Sequence, residues 1–191
     1  MTNNVKRFLA ASLLSLMPSV ALAEHYDVSG LLANRSDYVS LRPTETIKLP
    51  SGRLEGVSAT LAGTTVDTFF VANWTGVNTF PGYTLVGTPN ILPPNPLAPT
   101  APPSISGVFQ MGVPQLTPLT QVYYYTTNAA DPTGAAKTCL WQLNIAVTGT
   151  TCSGTINMTA YGNQGVLCSI DTAQTLVDPT TCQAQVVTII Q

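Results

Sequence analysis

The chain has 191 residues, with seven basic and nine acidic side chains, one histidine and 28 threonines. Charged residues make up 8% of it, against about 25% in an ordinary soluble domain. This excludes a charge-rich disordered tail and a basic nucleic-acid binder. The length is short for a two-domain enzyme and sufficient to bury one core.

Residues 1–23 read as a secretory leader. Lys6 and Arg7 supply the positive start, Phe8 to Leu22 the apolar run, and Ala21-Leu22-Ala23 a small-x-small cleavage site. The mature chain is expected to begin at Glu24, with a formal charge of −4 from five basic and nine acidic groups. The leader's apolar run is shorter than the ~20 residues a membrane span needs and contains Pro18. No later segment is long and apolar enough for a transmembrane helix. The expected location is exported: periplasmic, cell-surface or extracellular.

Nine of the mature chain's charges fall within residues 24–55, and none lies between Asp67 and Asp131. Strands are expected at Val57–Leu61 and Val66–Trp74, where β-branched and aromatic residues concentrate. Residues 89–103 carry seven prolines in fifteen positions. Proline lacks an N–H and fixes φ, so this stretch is expected to be an exposed, extended loop on a single β-domain spanning 24–191.

Gln121–Thr127 has high β propensity. Cys139 to Val147 alternates, with Cys139, Trp141, Leu143, Ile145 and Val147 on one apolar face. Ile156, Met158 and Ala160 alternate with threonine and asparagine, and Gln185–Gln191 is rich in Val and Ile. Turn clusters at 148–151, 162–165 and 178–181 separate these runs. The pattern predicts an all-β fold, an antiparallel β-sandwich or, alternatively, a partly open barrel.

The four cysteines, Cys139, Cys152, Cys168 and Cys182, predict two disulfides in an oxidising compartment. If 139–147 and 152–161 form a hairpin, Cys139 and Cys152 stand more than about 20 Å apart, beyond the ~7 Å Cα limit of a disulfide. A meander then favours Cys139–Cys168 with Cys152–Cys182, provided a strand crosses to a facing sheet. Short sequence spacing favours the sequential pairs. The residues alone leave both connectivities open.

No catalytic set, cofactor motif or metal site is apparent. The single histidine, His25, is the second residue of the predicted mature chain. A copper site on a terminal histidine needs a second one, and no Cys-x-x-C pair suggests zinc. Asp67, Asp131, Asp171 and Asp178 are the acids a glycosidase would have to pair, and two of them precede proline in turn sequences. Asn34, Asn73 and Asn157 open Asn-x-Ser/Thr sequons.

Trp141 is expected in the core. Trp74, Tyr123 and Tyr125 are the candidate contact residues, because alternation puts Tyr123 and Tyr125 on one face and Tyr124 on the other. The first functional expectation is an exported, non-enzymatic structural subunit that assembles through strand edges, with Gln185–Gln191 as a candidate edge. The second is a module that binds a glycan or a protein through exposed tyrosines. A secreted hydrolase and a small outer-membrane barrel are further alternatives.

Overall fold

The computed structural model describes residues 31–32, 37–40, 42, 45–54, 63–89 and 93–191. The predicted leader, His25, Asn34 and the predicted strand at 57–61 lie outside the described residues.

Among the described residues twelve strands form two sheets. Sheet A contains β1 (Tyr38–Val39), β10 (Cys168–Asp171), β12 (Ala184–Ile190), β3 (Thr64–Asn73), β6 (Gly107–Pro114) and β5 (Thr88–Pro89), in that order, with β11 (Leu176–Val177) also on β12. Sheet B runs β2 (Thr46–Lys48), β9 (Thr151–Tyr161), β8 (Thr138–Thr148), β7 (Leu119–Thr126), β4 (Phe80–Thr84). The two sheets pack face to face as a sandwich, and they do not close into a barrel. All pairings within them are antiparallel except β12 on β3.

The β8–β9 hairpin sets the register of sheet B. Thr148 pairs with Thr151 across a two-residue turn, Gly149-Thr150. Gly149 has φ 64°, which a glycine adopts at no steric cost and which suits the tight turns that match strand twist. Eleven register pairs follow, from Thr148↔Thr151 to Thr138↔Tyr161. The alternation read from the sequence holds. Trp141, Leu143 and Ile145 are buried beside Ile156 and Met158, while Gln142, Asn144 and Asn157 face outward, half-buried.

An aromatic ladder joins the sheets. Phe69 of β3 and Phe109 of β6 stack with ring centroids 4.6 Å apart, and Tyr123 of β7 meets each of them edge-on at 5.2 Å. Trp141 of β8 stacks on Tyr123 at 5.4 Å. Contacts of this kind contribute about 0.5–1.5 kcal/mol per pair beyond burial.

The disulfides are Cys139–Cys168 and Cys152–Cys182, with Cα separations of 5.5 and 5.2 Å. Cys139 and Cys152 lie in sheet B. Cys168 opens β10 of sheet A, and Cys182 lies two residues before β12. The chain crosses to the facing sheet after β9, which brings these residues within bonding reach.

The expectation that 185–191 is an edge is corrected. β12 is central, between β10 and β3, and the side chains of Val186 to Ile190 are buried. Its near-continuous apolar run is the signature of a strand covered on both faces. Val186 and Ile190 enter the core between the sheets. Val187 and Ile189 enter a second cluster with Leu31, Leu32, Phe70 and Ala72 on the far side of sheet A. Leu32 is tied there twice: its N–H donates to Asp171, and its carbonyl accepts from the Tyr38 hydroxyl.

The proline-rich segment connects β5 and β6. Most of its described residues are exposed, and Leu97 is anchored in the core. Buried Asn73 holds it in place: Nδ2 donates to the carbonyls of Val77 (2.8 Å) and Leu97 (3.0 Å), and Oδ1 accepts from the Thr75 N–H and hydroxyl.

Candidate functional site

The predicted contact residues do not meet on one surface. Tyr123 and Tyr125 are each 1% exposed, so the expected exposed pair is corrected. The two share one parity, as alternation requires, but so do Leu119 and Gln121 and, across the hairpin, Trp141, all facing the core. Burial pushes both phenols well above their ordinary titration range. Trp74 is half-buried on the far side of sheet A. There its ring lies 5.9 Å from Tyr38 and its indole N–H donates to Ser104.

Of the three tyrosines in the β7 run, Tyr124 is the one that faces outward, half-buried. The outward positions of sheet B form a grid fixed by strand register. One row runs Phe80, Thr126, Thr138, Tyr161; the next Gly82, Tyr124, Leu140, Thr159. A third runs Thr84, Val122, Gln142, Asn157, Thr46, and a fourth Thr120, Asn144, Thr155, Lys48. Lys48 is the one charged side chain among these positions.

Two hollows lie on this face. Tyr124, Leu140 and Tyr161, with Pro132 and Thr133 of the β7–β8 loop, shape an apolar one of about 360 Å3. The Tyr124 ring lies across Gly82, where a Cβ would come within 2.1 Å of its Cζ. Glycine at this edge position is what lets the ring lie flat on the sheet. The second hollow, about 420 Å3, is bounded by Thr120, Asn144, Ala146, Ser153 and Thr155. Between the two, Asn144 Oδ1 accepts from Thr120 (2.9 Å) and from Gln142 Nε2 (3.0 Å).

Asp131, Asp178, Asp171 and Asp67 accept hydrogen bonds from their surroundings. Asp131 accepts from the N–H groups of Gly134 and Ala135. Asp178 accepts from Thr180, Thr181 and Leu54, and these bonds, working against partial desolvation, hold it below the usual carboxylate range. Asp171 accepts from Ala173, Gln174 and Leu32, yet burial raises it, with the Asp37 charge adding to the rise. Asp67 is wholly buried between the sheets. It accepts from the Ala184 N–H (2.9 Å) and from Gln121 Nε2 (3.4 Å), and burial outweighs both bonds, pushing it up to about 7. Among the described residues no three His, Cys, Asp or Glu side chains come together as a metal site.

Two of the sequons are described. Asn73 is buried and fully used as a hydrogen-bond hub, whereas Asn157 stands on the outer grid of sheet B. No family model, curated protein or solved structure matched the chain. The two disulfides, with no free cysteine among the described residues, are compatible with an exported protein, and no described helix is long and apolar enough to cross a membrane.

Proposed function

We propose that the chain is an exported, non-enzymatic β-sandwich serving as a contact module at the cell surface or outside it, and that the outer face of sheet B makes the contact. The carrying observation is the asymmetry between the two outer faces. A second apolar cluster packs on the outside of sheet A, while sheet B presents strands of up to eleven residues with one charge and an aromatic end. Monomeric proteins seldom expose contiguous apolar surface without a partner for it. The leader pattern and two cross-links support export.

An assembly subunit is the second form of this proposal, and β4 carries it. Among the described strands β4 is the longest sheet edge, with exposed Phe80 and Tyr83, though Pro81 removes one donor from it. Light scattering on the processed chain, recovered from an oxidising compartment, separates the two forms. A monomer across a wide concentration range supports the ligand-binding form. An oligomer lost on Leu140→Asn supports assembly through the face. An oligomer that survives Leu140→Asn and is lost on Tyr83→Pro moves the contact to the β4 edge and overturns the face as its site.

A further inference from the structure

We infer that the outer face of sheet B binds a neutral oligosaccharide along β8, with one sugar ring on the Tyr124–Leu140–Tyr161 hollow and the neighbouring units hydrogen-bonded by Gln142 and Asn144. The inference rests on the contact-module proposal and names the partner's chemistry.

Three observations carry it. The first is charge. Lys48 lies at the margin of the face, and Asp131, in the loop beside the hollow, has both carboxylate oxygens occupied by backbone N–H groups. An anionic ligand therefore finds a single ammonium at the margin, and a cationic one finds a carboxylate already bonded to backbone N–H groups, so either gives up its hydration for little return. A neutral one pays no such penalty.

The second is the pairing of chemistries. A sugar ring offers a C–H face and a rim of hydroxyls. The hollow offers two tyrosine rings and a leucine side chain, with Tyr161 39% exposed. The adjoining track offers amides and hydroxyls. Aromatic surface beside a few placed polar groups is the general make-up of a small-molecule site.

The third is preorganisation. Asn144 Oδ1 already accepts two bonds, which fixes its amide with Nδ2 directed away from them. Gln142 spends Nε2 on the same oxygen. Asn144 Nδ2 and Gln142 Oε1 have no protein partner among the described residues, and together they make one donor and one acceptor on neighbouring outward positions. Such a pair matches vicinal hydroxyls, each of which both donates and accepts. Leu140 and Asn144 are four residues apart on one strand, about 14 Å. That span calls for several linked sugar units.

Affinity electrophoresis of the folded, disulfide-bonded chain tests this. Gels carry mannan, amylopectin, xyloglucan or hydroxyethylcellulose as neutral probes, and heparin or polygalacturonate as charged ones. Retardation by at least one neutral polymer is expected, weakened about tenfold by Tyr161→Ala and by Asn144→Ala. Val77→Ala, an exposed site off this face, should leave it unchanged; each variant is first checked for a wild-type urea midpoint. Retardation by charged polymers alone overturns the inference. So does neutral retardation that ignores both face substitutions. If no polymer retards the chain but Leu140→Asn dissolves an oligomer, the glycan inference fails and the contact face stands. If neither occurs, both fail.

Discussion

Asp67 links stability to pH with a sign opposite to that of most carboxylates. It stands on the inward side of β3, with no exposed surface. Its Oδ2 faces Gln121, whose orientation is fixed because Oε1 accepts from the Val86 N–H (2.7 Å) and Nε2 donates to the Val86 carbonyl (2.9 Å). Desolvation is the largest influence on the carboxyl and lifts it from 3.8 to about 7. The unfolded chain releases this proton near 3.8, while the folded chain keeps it until about 7. Stability from this group is therefore full below the unfolded value, declines as pH rises through the window between the two, and is flat above about 7. About three pH units at 1.36 kcal/mol each gives a loss of about 4 kcal/mol. That is a large share of the ~5–15 kcal/mol by which domains are stable.

Urea denaturation at intervals from pH 4 to 8, run on the wild type and on Asp67→Asn, measures it. Asparagine places an NH2 against one of the two donors, so the variant carries a constant penalty, but it does not titrate. The difference between the proteins cancels the other acids. Asp171, also raised, declines in the same direction, and Asp178, lowered, adds stability that is lost only as pH falls through its folded value. The wild type's advantage should shrink by about 4 kcal/mol between pH 4 and 7, a midpoint shift of about 2 M urea for a typical slope near 2 kcal/mol/M. A flat difference refutes the claim that burial dominates at Asp67. A difference that grows with pH shows that the Ala184 and Gln121 bonds win instead.

Trp141 Nε1 is buried with no hydrogen-bond partner among the described residues. Trp141→Phe should therefore cost less than about 2 kcal/mol, against about 3–5 for Trp141→Ala, as read by urea midpoints, because removing an orphaned donor offsets part of the lost packing. The disulfides close loops of 29 and 30 residues, so replacing either pair by serine should cost about 3–4 kcal/mol. Because the loops interlace, the double loss should fall short of the sum; thermal melts of the three variants check this. Asn73→Ala removes the Nδ2 bonds to the Val77 and Leu97 carbonyls, which keep the Thr75 hydroxyl and the Thr79 N–H, and takes the acceptor from Thr75. It should cost about 1–2 kcal/mol, with earlier proteolytic cutting between 93 and 106. In a glycosylating host, peptide mass mapping of the folded product should find sugar at Asn157 and none at Asn73, which the fold encloses.

The sequence makes local pairing legible and distant pairing obscure, for a physical reason. β7, β8 and β9 follow one another, and side-chain alternation with a two-residue turn is enough to define them. Trp141 reads as core because it sits on an apolar parity with Cys139, Leu143 and Ile145. β4 and β6 were not anticipated. Phe80-Pro-Gly-Tyr-Thr is an edge strand in which proline and glycine are tolerated, and Gly107–Pro114 hides Phe109, Met111 and Val113 among glycines that mimic turns. The disulfide pairing depended on which sheet receives β10 and β12, information carried by the whole packing and by no single segment.

The same limit explains the misplaced tyrosines and points to where a partner can dock. Period-two alternation separates Tyr124 from its neighbours without saying which side is solvent. The deciding contacts are Tyr123 on Phe69, Phe109 and Trp141, and two of those three partners come from strands of the other sheet. Once Tyr123 is committed to the core, Tyr124 must face outward, and register alone brings it beside Leu140 and one row from Tyr161. The central place of β12 removes the terminal strand as a docking edge. Among the described residues the remaining edges, β1, β2, β4, β5 and β11, span five residues or fewer, and two of them contain proline. These short edges offer a second chain little backbone to pair with, which favours the proposed recognition by side chains on the long, nearly charge-free face of sheet B.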